Sequence, residues 1–266
     1  MKNVRKKVAI VTGGSSGIGR CTAGALRENG YTVYEFSRRN IPMEGVKHCS
    51  VDVTDETAVK TAIGQIAEDE NGIDVVINCA GFGISGAVEF TETEQARKQF
   101  DVNFFGTVNV NQAVLPIMRR QESGHIINIS SVAAVAHIPF QTFYSASKAA
   151  VSSYSYALEN EVKPYGINVT VVELGDICTG FTKARQKNIL GDREYSGRIS
   201  KSVSRMEHDE QNGMDPEKVG KLIAEIAGRK RPPVVYVAGV QYKFLSFLCK
   251  ILPTALREKI VGIIYG

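Results

Sequence analysis

Residues Lys7 to Thr12 read Lys-Val-Ala-Ile-Val-Thr, an unbroken apolar run that ends in Gly13-Gly-Ser-Ser-Gly17-Ile-Gly19. A run with no apolar–polar alternation suits a strand covered on both faces, and such strands belong to parallel sheets flanked by helices. A helix from about Gly17 to Asn29 follows. Backbone N–H groups of a glycine turn, together with a helix N-terminus, attract phosphate, and missing side chains let it approach. The spacing is G-x-x-x-G-x-G rather than G-x-G-x-x-G, so a plain strand-to-helix turn is the competing reading.

The pattern then repeats. Tyr31 to Ser37 reads as a second strand, Val46 to Val53 as a third and Ile73 to Gly81 as a fourth that runs into a turn of small residues. Helices are expected over Glu56–Asp69, Glu92–Arg120, Phe143–Glu161 and, behind the cap Asp215-Pro216-Glu217, up to Gly228. Gly124–Ser131, Gly166–Val172 and Pro233–Val237 complete the strands. This alternation predicts one α/β domain over 1–266, a doubly wound parallel sheet of about seven strands. Residues 180–213 have weak periodicity and many charges, and read as a substrate lid.

Composition removes several classes of function. The net charge is +4 with Lys and Arg dispersed, which gives no support for nucleic-acid binding. Cys21, Cys49, Cys79, Cys178 and Cys249 never pair as C-x-x-C and read as small hydrophobes, in keeping with a reducing compartment. The four histidines lack metal-ligand spacing, so no metal is expected. The basic start, Met-Lys-Asn-Val-Arg-Lys-Lys, precedes an apolar run too short for a leader, and no run approaches the ~18 apolar residues of a spanning helix. A cytoplasmic location is expected.

Several residues carry chemistry. Tyr144 and Lys148 stand four apart at the start of a helix, on one face, where the ammonium should pull the phenol's pKa down from about 10. Ser131 closes a strand and can present its hydroxyl. Asn103 sits inside a long helix, where asparagine competes with the backbone for hydrogen bonds; a buried side-chain contact is the simplest explanation. The second strand ends in Ser37-Arg38-Arg39, where NAD-binding sites place a carboxylate for the ribose hydroxyl. A guanidinium there suits a 2′-phosphate, which predicts NADP(H), although two solvated arginines would look the same. Asp52 and Val53 end the third strand, as an adenine clamp or as a helix cap.

Taken together the motifs resemble the short-chain dehydrogenase/reductase family over about Lys7 to Gly239. Thr12-Gly13-Gly-Ser-Ser-Gly17-Ile-Gly19 resembles its T-G-x-x-x-G-I-G, and Asn78-Cys-Ala-Gly81 its N-N-A-G, with Cys79 in place of the second Asn. Asn103, Ser131, Tyr144 and Lys148 match its Asn-Ser-Tyr-Lys tetrad. Leu174-Gly175-Asp-Ile177-Cys-Thr179 matches P-G-x-x-x-T with Leu174 for proline. The resemblance implies a single-domain Rossmann fold and hydride exchange between a nicotinamide and a secondary alcohol or ketone. It assigns Tyr144 as general acid or base, Lys148 as its partner and a ribose ligand, Ser131 as a donor to the carbonyl oxygen, and Asn103 as the holder of a proton-relay water. It also implies cofactor contacts from Gly13, Ser15, Ser16, Ile18, Ser37, Arg38, Asp52, Val53, Asn78, Tyr144, Lys148, Ile177 and Thr179, and a homo-dimer or tetramer built on the helices bearing Asn103 and Tyr144.

The substrate is less constrained. Phe140, Phe143 and Phe181 near the tyrosine, the lid and an apolar tail predict a bulky lipophilic ketone, with a hydroxysteroid or bile acid expected first. Acyl-chain ketones (a 3-oxoacyl thioester or acyl-dihydroxyacetone phosphate) form the alternative, and a non-catalytic NADP-binding regulator the remote one. In the tail, 240–266, Phe244, Leu245, Phe247, Leu248, Ile251 and Leu252 make one helical apolar face. That face is expected to cover the pocket or meet another subunit, with a membrane contact as the minority reading.

Overall fold

The computed structural model describes residues 5–266. The reading of the basic start as no leader falls partly on residues 1–4, outside the described residues. The first half of the chain runs β1 (Val8–Thr12), α1 (Gly17–Glu28), β2 (Thr32–Ser37), β3 (Val46–Ser50), α2 (Glu56–Asp69), β4 (Val75–Asn78), β5 (Ile84–Ser85), α3 (Thr93–Phe100) and α4 (Gly106–Gln121). The second half runs β6 (Gly124–Ser131), α5 (Thr142–Val162), β7 (Ile167–Leu174), α6 (Phe181–Ala184), β8 (Gln186–Lys187), α7 (Arg198–Gln211), α8 (Pro216–Gly228), β9 (Val235–Val237), α9 (Val240–Ile251) and α10 (Thr254–Tyr265).

Seven strands form one parallel sheet in the order β3-β2-β1-β4-β6-β7-β9. All five residues of β1 are buried, as expected of a central strand between two helical layers. On one face Ile10, Phe36, Ile126 and Val110 pack with α2, α4 and α5. On the other, Leu26, Ile77, Ile127 and Ile223 pack with α1 and α8. The chain turns back at β1, so β1 and β4 are neighbours whose crossover helices cover opposite faces. The crevice beyond their C-terminal ends is where open α/β sheets bind ligands.

Three expectations need correction. The helix expected over 92–120 is not continuous: Asp101–Phe105 form a π-helical turn between α3 and α4, and this wide turn carries Asn103 inward. Segment 180–213 is not loosely patterned. It holds α6 and the 14-residue α7, whose Ile199, Val203 and Met206 pack on Phe140, and β8 pairs in parallel with β5. The tail's apolar stripe does not pack inward. Ser246 and Cys249 of α9 and Val261 of α10 are the buried residues there, and Phe244, Phe247 and Ile251 face outward. Helix α9 has its amphipathicity turned inside out.

Candidate active site

The crevice is built by β1 and β4. The Thr12 hydroxyl accepts from the N–H groups of Cys79 (3.1 Å) and Ala80 (3.0 Å), fixing the two strand ends together. Gly13 and Gly17 have φ of +69° and +52°, a region that side chains make costly. A Cβ on Gly19 would lie 2.5 Å from the Gly13 carbonyl oxygen. Ser16, at the N-cap of α1, makes no side-chain capping bond, and no acid stands in the first turn. The first N–H groups of a 12-residue helix therefore face the crevice with no side chain competing for them, an arrangement that fits a pyrophosphate.

Around this cradle lies a cavity of about 840 Å³. Its wall includes Gly13, Ser15, Ser16, Ile18, Ser37, Arg38, Asp52, Val53, Ser131, Tyr144, Lys148, Ile177 and Thr179, which the sequence analysis places in the site. Arg38 extends from the end of β2 with a side chain 70% exposed, its Nη1 3.7 Å from an Asp52 carboxylate oxygen. The Ser37 hydroxyl is committed to the Arg39 carbonyl at 2.9 Å. Asp52 is not a helix cap: Asp55 caps α2 by accepting from the Ala58 N–H, while Asp52 accepts from the N–H and hydroxyl of Thr54. The same residues that would hold a nicotinamide dinucleotide are thus assembled at one sheet edge.

Two expected site residues turn away from the cavity. Asn78 points toward α4 and donates to the Asn111 and Asn128 side chains at 2.8 Å each, so its amide braces β4, β6 and α4 instead of touching a cofactor. Strand alternation is the reason, since the pleat sends this side chain to the helical layer. Asn103 is also absent from the wall. Its Oδ1 accepts from the Phe82 N–H at 3.0 Å, and its Nδ2 donates to the Phe82 carbonyl (3.0 Å) and the Ser147 hydroxyl (3.1 Å). Both amide hydrogens and one lone pair of the oxygen are engaged in this clamp on the loop after β4, and one acceptor position on Oδ1 remains open.

Helix α5 presents the acid. Phe140, with φ of +59°, makes the tight turn into it, and its carbonyl accepts from the Gly86 N–H at 2.8 Å. The Ser130 hydroxyl donates to the Lys148 carbonyl, and Lys148 Nζ donates to the Ile129 carbonyl, so β6 fixes this turn of α5 from two directions. Ser131, at the end of β6, accepts from the Ala133 N–H at 3.1 Å. Tyr144 is only partly exposed, deep in the cavity wall, and this desolvation pushes its phenol up to about 12. The Ser131 hydroxyl opposes the shift, and Glu210 and Asp176 add to it. Desolvation likewise brings Lys148 down to about 8. Burial is the largest influence on both groups, and on the tyrosine it acts against the lowering expected from a neighbouring ammonium.

Phe181, expected near the tyrosine, forms the opposite wall together with a charged pair that the sequence does not announce. The Phe181 ring centroid lies 5.7 Å from that of Tyr144, and the Arg185 guanidinium stands 5.6 Å from the Phe181 ring. Arg185 is ion-paired with Glu210, which also accepts from the Thr182 hydroxyl at 2.7 Å and lines the cavity. Asp176 accepts from the Tyr242 hydroxyl at 2.8 Å, and burial raises its pKa. Tyr242 and Leu245 from α9, and Tyr265 from α10, close the remaining side. Charged residues in a polar stretch read as solvated, and nothing in their spacing shows that α6 and α7 fold them together. Among the described residues no group of His, Cys, Asp and Glu could hold a metal.

Comparison with known proteins gives a consistent picture. The family described as short chain dehydrogenase matches residues 7–190. The chain is 44% identical over 233 residues to a 3-ketodihydrosphingosine reductase of Bacteroides thetaiotaomicron, covering 86% of this chain and 87% of that protein. It is 32% identical to a probable short-chain type dehydrogenase/reductase of Helicobacter pylori, VdlC, over 97% of both. Among solved structures, a short-chain dehydrogenase from Streptomyces avermitilis superposes with a TM-score of 0.84 at 28% identity, covering 98% of this chain and 96% of that one.

Proposed function

The chain belongs to the short-chain dehydrogenase family, and from that premise we propose that it is an NADP(H)-dependent reductase of a ketone on a long-chain lipid, close in substrate class to 3-ketodihydrosphingosine. The observation that carries this reading is the lining of the cavity. Besides Tyr144 and Ser131 it takes in Leu245 and the rings of Tyr242 and Tyr265 from the tail helices, apolar surface suited to an alkyl chain. That feature favours the acyl-chain ketone over the hydroxysteroid, and the 44% identity to a reductase of that kind supports the same choice. For the cofactor, Arg38 at the end of β2 supports NADP(H) through a charge-assisted contact with a 2′-phosphate.

A bound reduced nicotinamide supplies the hydride to the ketone carbon. The protein's part is to hold and charge-balance the oxygen. Tyr144, kept protonated by its enclosure, donates its proton to that oxygen as negative charge develops. Ser131 offers a second donor to the same oxygen. Lys148, held by the Ile129 carbonyl, stands where it can bind ribose hydroxyls and restore the tyrosine's proton. Asp176 and the Arg185–Glu210 pair make the far wall polar, which favours a substrate with a hydroxyl-bearing head beside the ketone.

The test is NADPH consumption with 3-ketodihydrosphingosine, a 3-oxoacyl thioester, an acyl-dihydroxyacetone phosphate and a panel of oxo-steroids and oxo-bile acids. Turnover concentrated on the long-chain ketones is expected. Turnover of steroids with none of the lipid ketones would overturn the assignment.

A further inference from the structure

The tail helices present an apolar surface that the fold itself does not use. On α9, Val240, Phe244, Phe247 and Ile251 recur at helical spacing and are 83, 64, 58 and 58% exposed. On α10, Leu256, Ile260, Ile263 and Ile264 continue the surface, all of them exposed. Contiguous patches of this kind mark interaction sites. The opposite faces do pack, with Ser246 donating to Glu173 at 2.9 Å and Val261 joining Cys249 and Val132 in a small core. The helices are therefore held in place with their apolar stripes outward.

We propose that α9 and α10 form a docking face for an anionic lipid bilayer, onto which the catalytic cavity opens. Three observations select this occupant. The first is charge: between 240 and 266 there are four cations, Lys243, Lys250, Arg257 and Lys259, against the single carboxylate of Glu258. Lys243 and Lys250 lie along one flank of the α9 stripe, Lys250 with its Nζ 3.5 Å from the buried Glu173 carboxylate, and Arg229 joins Lys243 against the Tyr236 ring beside it. A basic rim around an apolar stripe is the pattern of an interfacial helix on anionic lipid, with lysine stems lying along the apolar surface and heads reaching the phosphates. The second is continuity. The other flank of α9 carries Leu245, which is itself exposed and lines the cavity with Tyr242 and Tyr265, so one helix bears both the outward stripe and part of the cavity wall. The third concerns a second copy of the chain: a two-fold pairing through this face would set its basic rim against itself. No helix among the described residues is long and apolar enough to cross a membrane, so the contact would lie in the interface.

Docking is a property of this face and is measured without turnover. The full-length protein should pellet with vesicles of phosphatidylcholine and phosphatidylglycerol, less with phosphatidylcholine alone, and less as salt rises. Phe244→Glu and Phe247→Glu should each weaken pelleting roughly ten-fold, with NADPH binding intact as the check on folding. Lys243→Glu and Lys259→Glu should each weaken binding to the anionic vesicles roughly five-fold and reduce the preference for phosphatidylglycerol. Vesicle binding by a protein inactive on every lipid ketone would support docking and count only against the substrate reading. Failure to pellet with anionic vesicles at low salt, pelleting unchanged by both phenylalanine variants, or a dimer in sedimentation that Phe244→Glu dissociates would overturn it.

Discussion

Lys148 lies across the Tyr144 ring, its Nζ 5.8 Å from the ring centroid, and spends a hydrogen bond on the Ile129 carbonyl. With the phenol raised to about 12 and the ammonium lowered to about 8, the tyrosine holds its proton through neutral pH. Ketone reduction, which needs the protonated form, should stay level from about pH 5 to 7 and decline as Lys148 titrates near 8, and alcohol oxidation, which needs the phenolate, should climb on the alkaline side. Tyr144→Phe should lower turnover by roughly 10²- to 10⁴-fold and leave NADPH affinity unchanged; titration of the cofactor beside steady-state rates checks both.

The same desolvation makes Lys148 a cost to folding. Its pKa is lower in the folded protein (about 8) than the 10.5 of an ordinary lysine, so the unfolded chain binds more protons between those limits. The penalty is fully present below about pH 8 and fades as pH rises toward 10.5. Lys148→Met should be inactive yet more stable at pH 7 by about 1–3 kcal/mol, the upper figure being the whole shift. Denaturant unfolding at pH 7 and pH 10 should show that gain shrink.

Arg38 is the cofactor discriminator in the proposed reading. Arg38→Asp should raise the KM for NADPH by roughly 10- to 100-fold, on the order of one charged hydrogen bond lost and one repulsion gained, and change that for NADH little. Equal losses for the two cofactors would remove Arg38 from the phosphate site.

Asn103 clamps both backbone groups of Phe82. Asn103→Ala leaves the Phe82 N–H without its partner, at about 1–3 kcal/mol for a group left unpaired, while the carbonyl keeps the Gln99 amide at 3.0 Å. Thermal unfolding should report the loss, with kcat falling more than cofactor affinity because the loop beside Lys148 is released.

Arg185 is wholly buried and leans on Glu210, with its Nε and Nη1 left without a partner among the described residues. Removing one charge from such a pair typically costs about 3–5 kcal/mol. Glu210→Leu should therefore destabilise strongly, and adding Arg185→Leu should recover much of the loss, as a double-mutant cycle on unfolding free energies would show.

Much of this architecture is legible in residue order. The unbroken apolar run of β1, the Pro216 cap of α8 and the glycine turn carry their geometry locally, so sheet, helices and cradle follow from short-range rules. Asn103 is an instructive middle case: its poor helix propensity points to a local break, and the π-turn is that break, but the partner on Phe82 comes from another loop. What stays hidden is tertiary. The Arg185–Glu210 pair joins two helices that polar sequence disguises, Asn78 is turned from the cavity by strand pleat, and the outward stripe of α9 has the same periodicity an inward one would have. The tyrosine's pKa is hidden for a similar reason, since enclosure depends on walls contributed by segments far apart in the chain.

The short ladder between Ile84–Ser85 and Gln186–Lys187 has a mechanical consequence. It rivets the loop after β4 to the segment bearing α6, while Asn103 rivets that same loop to the turn before α4 and Gly86 ties it to Phe140 at the entrance to α5. One wall of the cavity and the mounting of the proton donor are thus a single linkage, like two arms of a lever on one pivot. A ligand that presses the Phe181 wall outward loads Asn103 and the base of α5 at once, so tolerance for substrate width and alignment of Tyr144 cannot be tuned separately.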